Sequence, residues 1–223
     1  MENLVRGLKE SNTEITFMDF EHVEEELNCA GILAVINNIQ SITGAFWRSE
    51  LSPTEHENIT AALNFNFELA IQKNGFACSF SGIQFCDSGP GSIGVVETES
   101  TVSVIFYSLA DGQDNIIHLR HRCYSNADKV TFSLNGNMLK GYTPKTTEDP
   151  NHFLSQDIVL PASLLKHAVE FGDADPSARN EFVITIPYGY YIAEIHAPIV
   201  VPTPPTWYDS NETKNITTLA DET

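Results

Sequence analysis

At Gly75 the hydrophobic period of this chain changes, and that change limits its fold more than any other feature. Before it, Ile59, Ala62, Leu63, Phe67, Ala70 and Ile71 recur at the spacing of one helical face. Ser52 stands where an N-cap belongs, Pro53 fills the first helical position, and Glu55 completes a capping box. Gly75 supplies a left-handed stop. The spacing predicts a helix over 53–73. Beyond Gly75 the apolar residues alternate. In 101–108, Val102, Val104 and Phe106 fall on one face, with Thr101, Ser103, Ile105 and Tyr107 on the other.

Segments 76–80, 83–86, 93–98, 115–122, 129–134 and 138–142 read as further strands. Asn135-Gly136 is a two-residue hairpin turn, because both residues tolerate positive φ. Together these segments predict an antiparallel meander. A last strand pair is expected at 182–186 and 190–195, turning at Pro187, Tyr188 and Gly189. Upstream, 20–39 predicts a helix with an acidic first turn, and 160–171 predicts another. The class is therefore α+β, a predominantly antiparallel sheet with two or three helices packed against it. Hairpin-length turns between the central strands argue against a parallel α/β sheet. Residues 1–208 are expected to form one domain, followed by a flexible polar tail over 209–223.

Charge narrows the function classes. The chain of 223 residues carries 30 acidic and 12 basic side chains, a net charge of -18. Such a field repels phosphates, so neither nucleic acid nor an anionic membrane surface is an expected partner. No apolar run approaches the roughly 20 residues needed to span a bilayer, and the first residues lack a secretory apolar segment. Four cysteines are too few for a disulfide scaffold, which points to free thiols and a cytoplasmic setting. A hairpin centred on Gly82 would bring Cys78 opposite Cys86 within reach of a disulfide. Asn58, Asn211 and Asn215 each begin a glycosylation sequon, which has meaning only on export. No phosphate-loop pattern and no metal-ligand spacing occurs, so no cofactor or metal is expected.

Three groups of residues are candidates for function. Residues 101–150 hold five acidic and five basic side chains, a neutral block in an acidic molecule. Within it, the strand Asn115-Ile-Ile-His-Leu-Arg-His-Arg-Cys123 places His118, Arg120 and Arg122 on one face with Ile116. Ile117, Leu119, His121 and Cys123 take the other. Arginine forks suit a carboxylate or phosphate, so this row is a candidate anion site; it equally suits neutralising the protein's own acids. The second group is acidic: Glu21, Glu24, Glu25, Glu26, Glu170, Asp173, Asp175 and Glu181, a candidate surface for a basic partner. The third is aromatic: Tyr188, Tyr190, Tyr191, Trp207 and Tyr208, a packing cluster or a binding surface. Glu194 and His196 share a strand face as a carboxylate–histidine pair.

No nucleophile or second carboxylate is fixed beside His118, so a non-enzymatic reading is preferred and no catalytic residue is assigned. The leading expectation is an acidic interaction or inhibitor protein that binds a basic protein. The alternatives are an anion- or small-molecule-binding domain, or small enzyme, built on His118, Arg120 and Arg122, and a structural subunit of an assembly. Self-association is compatible with each.

Overall fold

A computed structural model describes residues 17–20, 28–47, 51–81, 84–85, 93–94, 100–108, 110–123, 127–147, 149, 152–168 and 175–197. The capped helix forms as its sequence predicts. Here α2, Pro53–Asn74, follows a short helix α1, Cys29–Asn38. Ser52 Oγ accepts from the Glu55 backbone N–H while the Glu55 carboxylate accepts from the Ser52 N–H, and Gly75 closes the helix at φ 75°. Helix α1 is shorter than the expected 20–39. Asn28, in extended conformation, caps it by accepting from the Gly31 N–H, so its first turn holds no acidic residue; residues 21–27 lie outside the described ones. A side-chain acceptor at position 28 sets the helix start there, which hydrophobic spacing does not reveal.

Among the described residues the strands form three sheets rather than one meander. The short strands β1, Phe17–Asp19, and β2, Gly44–Phe46, pair in parallel. Strands β3, Phe76–Ser81; β6, Ser100–Phe106; β8, Thr131–Leu134; β9, Asn137–Met138; and β11, Asn180–Ile186, form one five-stranded sheet in the order β3-β6-β11-β8-β9. Strands β4, Gln84–Phe85; β5, Ile93–Gly94; β7, Asn115–Cys123; β10, Leu154–Leu160; and β12, Tyr190–His196, form a second in the order β10-β7-β12-β5-β4. Every pairing in the two larger sheets is antiparallel. The class is α+β, with two α-helices among the described residues and predominantly antiparallel sheets.

One buried core unites the two larger sheets. Val102, Val104, Phe106, Phe132, Leu134, Phe182, Ile184 and Ile186 come from the first; Ile117, Leu119, Ile158, Leu160, Tyr190 and Ile192 come from the second. The alternation seen in the sequence is thus the inner face of each layer, packed on the other layer. Helix α2 covers the outer face of the first sheet, where Ile71, Phe67 and Ala70 meet Ala77, Ile105 and Tyr107. Helix α1 packs on α2 through Ile32, Val35, Ile36 and Ile59. The Asn66 amide, buried in α2, donates to the carbonyls of Ile36, Ile39 and Ile42 and satisfies the end of α1.

Three expected elements take other forms. The Gly82 hairpin does not form, because β3 joins the first sheet and β4 the second. Cys78 is a buried free thiol whose burial pushes its pKa up to about 12, and Cys86 lies outside the described residues. Residues 187–189 likewise carry the chain from β11 in one sheet to β12 in the other, so these two strands are not a pair. The helix expected over 160–171 is replaced by the end of β10 and a 3-10 turn, Ala162–Leu164. Side chains take the backbone groups a helix would have used. The Ala162 N–H donates to Asp114, the Lys166 N–H to Asn180 and the Ala168 N–H to Asp111. The Asn135-Gly136 hairpin forms between β8 and β9, with φ of 51° and 77°.

Candidate functional site

Alternation along β7 sorts its side chains as expected. Ile117, Leu119, His121 and Cys123 are buried, while Ile116, His118 and Arg120 are exposed on the outer face. Arg122, on the same outer face, is only 2 % exposed. His118, Arg120 and Arg122 are therefore brought together, on the strand between β10 and β12.

Each meets a neighbour supplied by a flanking strand. His118 lies opposite Asp157 of β10, with Nδ1 2.7 Å from Oδ1. Arg120 lies opposite Glu194 of β12 and donates from Nη1 to Oε1. Glu194 also meets His196, with Oε2 3.4 Å from Nε2. Hydrogen bonds from Arg120 and then His196 hold the Glu194 carboxyl below the usual carboxylate range. Arg122 is covered by rings, its guanidinium carbon 4.4 Å from the Tyr191 centroid and 5.3 Å from that of Phe153. Arg120 approaches the same Phe153 ring at 5.8 Å. The face carries alternating charge capped at one end by a cation–π stack.

Behind this face His121 points into the core. Its Nε2 is 3.1 Å from Gln156 Oε1, and its ring packs on Tyr190 with centroids 5.3 Å apart. Burial lowers the His121 pKa against the opposing Gln156 hydrogen bond, with Lys145 adding to the fall. Burial raises both Cys123 and Tyr190, so the inner cluster is uncharged near neutrality.

The other candidates are dispersed. Asp175 is exposed and bonds its own turn, accepting from the Ser177 N–H and hydroxyl. Glu181 is exposed on β11. Glu21, Glu24, Glu25, Glu26, Glu170 and Asp173 lie outside the described residues. The aromatic group divides: Tyr188 is 57 % exposed, Tyr190 is fully buried, and Tyr191 packs on Arg122. Trp207 and Tyr208 lie outside the described residues.

No family model matches the chain, and no curated protein does. Among solved structures, the CBM35 from Paenibacillus barcinonensis superposes with a TM-score of 0.36 at 11 % identity, over 54 % of this chain and 91 % of its own. A family 35 carbohydrate binding module from an environmental isolate gives 0.39 at 16 %, over 59 % and 94 %. The C-terminal CBM6 of LamC, a marine laminarinase from Zobellia galactanivorans, gives 0.36 at 14 %, over 53 % and 87 %.

Among the described residues no group of three or more His, Cys, Asp or Glu side chains is placed to enclose a metal ion. No described helix is long and apolar enough to cross a membrane. Asp157, which meets His118, is not among the residues that motif and charge single out in the sequence. The alternation of Ser155, Asp157 and Val159 against Ile158 and Leu160 is the signal that places it on an outer strand face.

Proposed function

We propose that this is a non-enzymatic acidic interaction protein that binds a basic protein partner. The observation that carries the reading is that the protein's own side chains occupy the basic face. Arg120 is engaged by Glu194 and His118 by Asp157, while rings cover Arg122. The Arg120–Glu194 pair takes one charge of each sign, so it leaves the surplus of 18 carboxylates over lysines and arginines unchanged. A field of that sign steers basic proteins and disfavours acidic ones. The acidic run Glu21, Glu24, Glu25 and Glu26, with Glu170, Asp173, Asp175 and Glu181, is the contact surface of this reading. The same reading takes 1–208 as one domain with 209–223 as a polar tail. It assigns the protein to the cytoplasm, in keeping with the free thiols of Cys29, Cys78 and Cys123.

The test uses the full chain and its Glu21→Gln, Glu24→Gln, Glu25→Gln, Glu26→Gln quadruple variant as baits. The native bait should capture basic proteins that elute by about 1 M salt, where the screening length falls to roughly 3 Å. With the captured partner purified, the variant should bind about tenfold more weakly at low salt. Equal affinity and an equal salt slope for the two baits would reject the proposal.

A further inference from the structure

His118 of β7 and His196 of β12 are direct partners in the antiparallel register, on the outer face of the second sheet. Side chains so paired leave their Cβ atoms roughly 5 Å apart, close enough for two imidazoles to meet one ion. Both are open to solvent, with side-chain exposures of 60 % and 67 %. Each ring also has a carboxylate at one nitrogen. Asp157 stands at Nδ1 of His118, 2.7 Å away, and Glu194 at Nε2 of His196, 3.4 Å away. A carboxylate behind an imidazole fixes its tautomer and makes the opposite nitrogen a better donor to a metal.

We propose that His118 and His196 form a two-imidazole site for a divalent transition-metal ion, with Asp157 and Glu194 as the carboxylates behind them. The ligand atoms are then Nε2 of His118 and Nδ1 of His196. With no third protein ligand among the described residues, the remaining coordination positions are open to water or to a group from a partner. Imidazole pairs select copper, nickel and zinc over calcium and magnesium, which require oxygen ligands. The net charge of -18 raises the local concentration of any cation. An ion held this way joins β7 to β12, so its binding free energy adds to the stability of the second sheet.

Zinc chloride titrated into the full chain should show one site tighter than all others by calorimetry, with a melting temperature that rises with zinc concentration. His118→Gln and His196→Gln, made separately, should each weaken that site at least about tenfold, since each leaves a single ligand. Asp157→Asn should weaken it about tenfold without removing a ligand. His167→Gln, at a position whose side chain is 96 % exposed, should leave it unchanged. Copper(II) bound to the native chain should show two coupled nitrogens by electron paramagnetic resonance, and one in either histidine variant. Since both histidines are exposed, the metal-free variants should melt with the native chain, and comparing the two separates a lost ligand from a lost fold. Unchanged zinc affinity in both histidine variants, or a single coupled nitrogen in the native chain, would overturn the proposal.

Discussion

Arg179 grips Glu68 with both arms of its guanidinium, Nη1 to Oε1 at 2.9 Å and Nη2 to Oε2 at 2.7 Å, while its Nε donates to the Tyr107 hydroxyl at 3.2 Å. One side chain thereby fastens helix α2 to the start of β11 and to the residue that follows β6. The Arg179 hydrogen bonds hold the Glu68 carboxyl below its usual range and raise the guanidinium still further. A carboxylate with a depressed folded pKa stabilises fully above its unfolded value, about 4.3, and loses that contribution as pH falls through the folded value. Glu68→Gln should lower stability by about 1 kcal/mol at pH 7. The difference from the native chain should close below about pH 4, as read from urea melts across the acid range.

Asn180 is fully buried and bonds on every side. Its Oδ1 accepts from the Lys166 N–H and from Asn135 Nδ2, and its Nδ2 donates to the Ser108 hydroxyl. Ser108 passes the chain of bonds on to the Lys166 carbonyl. This network holds 162–168 against the end of the first sheet in place of a helix. Asn180→Ala strands several buried polar groups at once and should cost about 3 kcal/mol in equilibrium unfolding.

Asn66 makes the amide, and not merely the size, of its side chain matter. Three carbonyls of the α1 end converge on Nδ2, so Asn66→Ala should cost about 2 kcal/mol. Asn66→Asp is nearly isosteric but presents only acceptors to acceptors at neutral pH. It should be the more destabilising of the two, by thermal unfolding at pH 7.

His121 should make the fold sensitive to mild acid. Its pKa is lowered in the folded chain, chiefly by burial, so the unfolded chain takes up a proton that the folded chain resists. Stability therefore falls as pH drops below the unfolded value of about 6.5, and the loss continues until the lowered folded value is reached. His121→Gln should flatten this part of the stability–pH curve between about pH 7 and 5. An unaltered slope there would assign the acid sensitivity to other groups.

Gly44 tests close packing between strands. A Cβ there would run into the Phe80 and Phe17 rings, which meet edge to face at a centroid distance of 5.2 Å. Gly44→Ala should cost about 1–3 kcal/mol by chemical denaturation.

Much of the local structure is legible in the residues themselves. The box of Ser52 and Glu55, the stop at Gly75, the turn at Asn135-Gly136 and the alternation through Val102, Val104 and Phe106 all appear in the structure. The candidate face is legible in part. Period two places His118, Arg120 and Arg122 together, but the groups that answer them stand far along the chain, Asp157 39 residues from His118 and Glu194 74 residues from Arg120. Nothing local distinguishes a cationic row awaiting a ligand from one already matched.

What the chain's own order of residues determined is whatever closes within a few positions: caps, turns, the two periods and the excess of negative charge. These depend on neighbours at i+2, i+3 and i+4, whose geometry is settled before any long-range contact forms. Tertiary structure alone decided which layer each strand joined. A link such as 187–189 serves a hairpin or a passage between sheets equally well, and the choice falls to the layer that buries Phe182 and Ile184 on one side and Tyr190 and Ile192 on the other. It also decided that the helix expected from Leu160 onward does not form over 162–168, because Asp114, Asn180 and Asp111, far along the chain, accept from backbone N–H groups there.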